Sequence, residues 1–151
     1  TMAALRRLGQ SRAASTARVV LCRAAEVASG PKEVTVGRSS LVVLPGPEGP
    51  VAFLNRCPHV GTPLNLFPDK FLSRDGAHLL CATHGALFRK EDGLCVRGPC
   101  AGDALAQVAI QVCDTLVSAD GAEVAALEAG FQATGGGEGP RAAPARRASS
   151  P

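Results

Sequence analysis

The chain has 151 residues, enough for one domain with a substantial core. Its formal net charge of +3 is carried by the ends: residues 1–18 hold four Arg and no acid, and residues 132–151 hold three Arg and one Glu. Between them, nine Lys/Arg stand against twelve Asp/Glu, which argues against a nucleic-acid partner, and no apolar run approaches the roughly 20 residues of a membrane helix, so a soluble protein is expected.

Residues 1–18 are rich in Ala, Arg and Ser and read as a disordered leader or as an organelle transit peptide. The first reading places the protein in the cytoplasm, the second in an organelle matrix or stroma. Arg18–Arg23 is an apolar burst suited to a strand, and Ala24–Lys32 reads as a helical turn or loop ending at Gly30-Pro31. Glu33–Val36 and Leu41–Leu44 are short β-branched runs separated by Gly37-Arg38-Ser39-Ser40, a hairpin signature. The whole of Pro45-Gly46-Pro47-Glu48-Gly49-Pro50 is expected to be turn. Val51–Asn55 then delivers the chain to Cys57.

Two stretches carry the chemistry: Cys57-Pro58-His59-Val60-Gly61-Thr62-Pro63-Leu64 and Cys81-Ala82-Thr83-His84-Gly85-Ala86-Leu87-Phe88. Each offers one thiolate and one imidazole on a loop marked by Pro or Gly. Two soft sulfur donors and two nitrogen donors suit an iron–sulfur cluster or a tetrahedral zinc. A single loop that grips one zinc usually offers two thiolates, C-x-x-C. Here each loop has mixed donors, so its Cys and His could serve different metals.

Around these boxes, Leu66–Leu72 is expected in a small hairpin turning at Ser73-Arg74-Asp75-Gly76, with Ala77–Leu80 returning as a strand. Leu87–Lys90 and Leu94–Val96 form another hairpin around Glu91-Asp92-Gly93. Leu105–Val112 and Leu116–Ala119 close the fold, with Cys113-Asp114-Thr115 as the turn. Asp120 reads as a helix N-cap with Glu123 at N3, and residues 120–131 as a short helix. Residues 132–151, dominated by Gly, Pro, Ala, Arg and Ser, read as a disordered tail.

Six cysteines in a secreted chain would suggest disulfides, but the spacing here fits ligands better. Cys22, Cys95, Cys100 and Cys113 are expected to be small buried or half-buried residues. Cys95 and Cys100 flank Gly98-Pro99, which leaves a redox role open for them. His78 is expected on a strand facing solvent, and Arg56 and Arg97 as solvated charges beside the ligand loops.

From about Val19 to Ala119 the chain resembles Rieske [2Fe–2S] proteins, in which two Cys hold one iron and two His the other. The resemblance rests on the two boxes, on Gly61 and Leu64, on His84-Gly85-x-x-Phe88, and on Gly98-Pro99 where the family has a shielding loop. It implies an all-β Rieske fold, an antiparallel barrel or sandwich at residues 19–119 with an inserted cluster-binding subdomain at about 56–100. It also implies one [2Fe–2S] cluster ligated by Cys57, His59, Cys81 and His84. In the high-potential branch a disulfide ties the ligand loops, and Ser and Tyr hydroxyls bond the cluster and a ligand sulfur. Here Thr62 and Thr83 occupy the cystine positions, and Ala86 and Phe88 stand where the hydroxyls would be. The soluble ferredoxin branch and a potential near the low end of the range, roughly −150 mV, are therefore expected.

The expected function is that of a soluble, monomeric one-electron carrier, without catalysis of its own, passing electrons from a reductase to an oxygenase or other terminal acceptor. A redox-sensing or accessory subunit is the alternative, and a zinc-stabilised binding module a third.

Overall fold

The structure, a computed structural model, describes residues 17–133. Among these residues it is all-β in character, with three antiparallel sheets and two helices, α1 (Ala24–Val27) and α2 (Gly121–Ala133). The first sheet joins β1 (Arg18–Arg23), β10 (Leu116–Asp120) and β9 (Ile110–Cys113), in that order. The second has the order β2 (Lys32–Val36), β3 (Ser39–Gly46), β4 (Gly49–Leu54) and β8 (Gln107–Val108). The third, β5 (Leu79–Leu80), β6 (Leu87–Phe88) and β7 (Cys95–Arg97), lies in the chain between β4 and β8.

Strand β3 explains how these layers stack. Leu41, Val42, Val43 and Leu44 are all fully buried, a continuous apolar run of the kind a strand shows when both of its faces are covered. Alternation then divides its side chains. Leu41 and Val43 join Ala52, Leu54, Val108, Val117, Ala119 and Val124 in one core. Val42 and Leu44 join Phe53, Leu64, Phe71, Leu79 and Phe88 in a second core, together with Cys57 and Cys81. The central sheet is thus shared, with one core on one face and the core that holds Cys57 and Cys81 on the other.

Strand β1 breaks the period-2 rule. Leu21 and Cys22 are both buried, because the pairing with β10 slips by one residue between Val20 and Cys22.

Several expectations need correction. The turn over residues 45–50 is shorter than its composition suggests: β3 runs to Gly46, β4 starts at Gly49, and only Pro47-Glu48 form the turn. Pro45 pairs with Pro50. Both lie beyond the flanking ladders, since β2 begins opposite Val43 and β8 pairs only with Ala52 and Phe53. No outer partner asks for the missing N–H there. Likewise Ser39 and Ser40 belong to β3 rather than to the preceding turn.

The run 105–112 is not one strand. It divides at Ala109, so that β8 serves the central sheet and β9 the first. Of residues 66–72 only Leu72 is in β-structure, a single bridge to Leu79, and Leu66 and Phe67 are exposed. His78 lies in the bend before β5, half-buried.

Asp120 caps α2 (Gly121–Ala133) through Oδ1, which accepts from the Ala122 and Glu123 amides at 2.8 and 3.3 Å. The helix includes Gln132 and Ala133, which the sequence assigned to the tail, and Arg18 belongs to β1 rather than to the leader. The readings of residues 1–16 and 134–151 fall outside the described residues. Among the described residues, no helix is long and apolar enough to cross a membrane.

Candidate metal centre

The two boxes fold into the same loop. In the first, the Cys57 amide donates to the Thr62 carbonyl and the Gly61 amide donates to the Cys57 carbonyl, each at 2.8 Å. In the second, Cys81 donates to the Ala86 carbonyl and Gly85 to the Cys81 carbonyl, each at 2.9 Å. Closing the loop so tightly takes a left-handed residue at the fifth position. Gly61 and Gly85 hold φ of 78° and 75° there, a region that costs glycine little. The loops are also joined to each other, the Ala82 amide donating to the Leu64 carbonyl at 2.8 Å.

This arrangement sorts the four candidates into pairs. Cys57 and Cys81 are buried, and their sulfurs are hydrogen-bonded to one another. His59 and His84 meet edge to face, with ring centroids 5.0 Å apart. His59 is half-buried and His84 exposed. Among the described residues, no three or more His, Cys, Asp or Glu side chains are set to hold a single metal ion. A mononuclear zinc needs three or four donors about one point.

Each thiol of the pair acts on the ionisation of the other. Hydrogen bonding from Cys57, aided by the Thr83 and His84 amides and the Thr83 hydroxyl, pulls the Cys81 thiol well below its ordinary range. The same contact, with burial, pushes Cys57 upward. One thiolate is thus already favoured in this apolar setting. The His59 Nδ1 atom is buried and has no hydrogen-bond partner. A buried ring nitrogen without a partner is costly unless something else takes it up.

Where the resemblance would place a cystine, the Thr62 and Thr83 hydroxyls stand 3.3 Å apart. They tie the two loops by a hydrogen bond in place of a covalent link. The Thr83 hydroxyl also bonds Cys81, so one sulfur donor has moved along the chain rather than been lost. Ala86 and Phe88 are fully buried.

Two supports were not legible in the sequence. Asn55 is buried; its Oδ1 accepts from the Leu64 amide at 2.9 Å, and its Nδ2 donates to Asn65 Oδ1 at 2.8 Å and Ser40 Oγ at 3.1 Å. Glu33 takes the far ends of that network through Ser40 and Asn65. The residues just before and just after the first box are therefore pinned to the central sheet. The second support corrects the reading of Arg56 as a solvated charge. Its guanidinium donates to the Gly61 carbonyl at 3.0 Å and to buried Glu128 of α2 at 2.6 Å. Phe131 of the same helix lies so close that a Cβ on Gly61 would sit 2.9 Å from its ring. Asn55 and Arg56 sit at ordinary-looking strand-end positions, and only their partners, distant in sequence, reveal the role.

Comparison with known proteins places these features. The Rieske [2Fe-2S] domain model matches residues 17–114, and the chain belongs to that family. No curated protein matches it. Among solved structures, the terminal oxygenase of carbazole 1,9a-dioxygenase from Novosphingobium sp. KA1 is similar at a TM-score of 0.58 and 23% identity, over 69% of this chain and 29% of that one. The corresponding oxygenase from Nocardioides aromaticivorans IC177 is similar at 0.56 and 19%, over 69% and 30%. A reduced complex between oxygenase and ferredoxin in carbazole 1,9a-dioxygenase matches at 0.58 and 18%, over 70% and 28%. These likenesses establish the fold, and the chain spans under a third of those structures' length. As a Rieske domain it binds one [2Fe–2S] cluster, and its role is electron transfer.

The Arg56–Glu128 pair yields a stability prediction. Glu128→Ala leaves a half-buried guanidinium without its carboxylate, and should cost about 1–2 kcal/mol after discounting for the exposure of Arg56. Urea denaturation of the loaded protein reads this as a lower midpoint with an unchanged slope. An unchanged midpoint would show that the pair contributes nothing.

Proposed function

We propose that Cys57 and Cys81 hold one iron of the cluster and His59 and His84 the other. The observation that carries this reading is the pairing itself: sulfur beside sulfur in the core, imidazole beside imidazole at the edge. The donor set fits the group. Two buried thiols set against each other, one of them held low, suit a cation that takes both as thiolates. The unpartnered His59 Nδ1 gains a partner when a metal accepts its lone pair.

When bound, the cluster takes up and releases one electron, at a potential that imidazole ligation raises above that of all-cysteine clusters. The chain's own residues do the rest. Phe53, Leu64, Phe71, Phe88 and Ala86 keep water from the sulfur side. His84, exposed, is the ring that a docking protein would meet first. The amides of His59, Thr83 and His84 donate to the two sulfurs and moderate their negative charge.

The reading this supports is a soluble one-electron carrier, most simply a monomer, with its Rieske domain at residues 19–119 and its cluster-binding part at about 56–100. It passes electrons from a reductase to an oxygenase or other terminal acceptor, and has no membrane or nucleic-acid partner. The cytoplasm is the compartment proposed, or an organelle matrix or stroma if residues 1–18 form a transit peptide. Similarity to a complex between oxygenase and ferredoxin favours redox proteins as partners. A carrier rather than an enzyme is supported by the four donors filling the cluster's ligand set. The surface depressions lined by Glu26, Lys32 and Phe71 or by Val36, Arg38 and Glu128 include none of them.

Two experiments bear on this. Reconstituted protein should carry two irons and two acid-labile sulfides per chain, and Cys57→Ser or His84→Ala should lose that stoichiometry or shift the visible spectrum. Retention of the parental metal content and spectrum by both variants would contradict the ligand assignment. Voltammetry of Thr83→Val should show a potential lower by on the order of 50 mV, the loss of one hydrogen bond of about 1 kcal/mol at about 59 mV per tenfold. An unchanged potential would mean that the hydroxyl does not act on Cys81.

A further inference from the structure

Two buried thiols outside the ligand set lie against it. Cys95 and Cys100 are both buried, and their sulfurs are 3.3 Å apart. The loop between them is held shut by backbone bonds: Cys95 exchanges bonds with Asp103 and Gly102, and Ala101 donates to Gly98. Gly98, Pro99, Ala101 and Gly102 are exposed, so the thiols lie just beneath the surface. Cys95 and Cys100 lie in the same buried core as Cys57 and Cys81. Gly98 packs on the second ligand loop, where an added Cβ would come within 2.8 Å of the Ala86 Cα.

We propose that Cys95 and Cys100 form a reversible dithiol–disulfide pair whose state is felt at the Cys57 sulfur. This rests on the assignment of Cys57 as a ligand. A disulfide needs its sulfurs at about 2.05 Å, so closure requires a little over 1 Å of approach between atoms already in contact. The oxidant is a low-molecular-weight disulfide of the glutathione type. One thiolate attacks it and releases one small thiol; the second protein thiol then attacks the mixed disulfide and releases the other. Two electrons pass from the protein sulfurs to the small disulfide, whose two halves leave with the two protons.

The consequence for the cluster follows from proton count. The Cys100 S–H donates to the Cys95 sulfur and the Cys95 S–H to the Arg97 carbonyl, each at 3.3 Å, in the buried core that also holds Cys57. Closing the disulfide removes both S–H dipoles from that core. The negative charge of the ligand sulfur is then less well balanced, and reduction becomes harder.

The test uses full-length loaded Cys113→Ser protein, which lacks the exposed thiol that would otherwise react first. It is equilibrated anaerobically across glutathione redox buffers, alkylated and digested. The expected result is a Cys95–Cys100 linked peptide that appears and disappears reversibly with the buffer, the two alkylations being lost together. With the pair closed, the cluster's reduction equilibrium should shift against reduction by up to tenfold, about 59 mV. In Cys100→Ser no link forms, and the potential should not respond to the buffer.

Independent alkylation of Cys95 and Cys100 at every buffer ratio would overturn the proposal, as would a linked pair with an unmoved potential. The mapping of the link needs no cluster and the visible spectrum needs no link. Failure of the dithiol is thereby distinguished from failure of the ligand assignment.

Discussion

Everything at the site depends on the contact between two sulfurs carried by two equivalent loops. Cys57 and Cys81 meet because each begins a turn that closes on itself through the same reciprocal pair of backbone bonds. Glycine at the fifth position lets each turn close, and the Ala82–Leu64 bond sets one loop against the other. Isolated thiols would gain little from such placement. Beneath the central sheet, in a setting walled by Phe53, Phe71 and Phe88, they lie together in one apolar core, and each acts on the ionisation of the other.

The sheet arrangement serves that contact. A strand buried on both faces lets one framework support two cores. The barrel core supplies bulk stability, and the other core supplies the apolar wall behind the sulfurs. Helix α2 adds a third element. Glu128 reaches Arg56 and Phe131 packs over Gly61, so a C-terminal helix steadies a loop formed some seventy residues earlier.

Much of this was legible in the sequence because turns, caps and alternation are local signals. The two boxes, the Gly98-Pro99 loop, the Asp120 cap and most strands could be read from neighbouring residues alone. Local reading failed where a distant partner decides the outcome. Pro45 and Pro50 look like strand breakers, yet they pair because no third strand reaches them. Cys113 looks like its buried companions but lies exposed at the end of an edge strand. The Thr83 hydroxyl beside Cys81 was not legible either, since in the sequence Thr83 stands out only where a disulfide partner would be.

Segregation of sulfur and nitrogen donors onto different metals is measured directly by Mössbauer spectroscopy of the reduced, iron-57-enriched protein. It predicts two inequivalent irons in equal amounts: a ferric site in a sulfur environment and a ferrous site with the larger isomer shift of mixed nitrogen and sulfide ligation. Two equivalent irons, or a single mononuclear site, would contradict it.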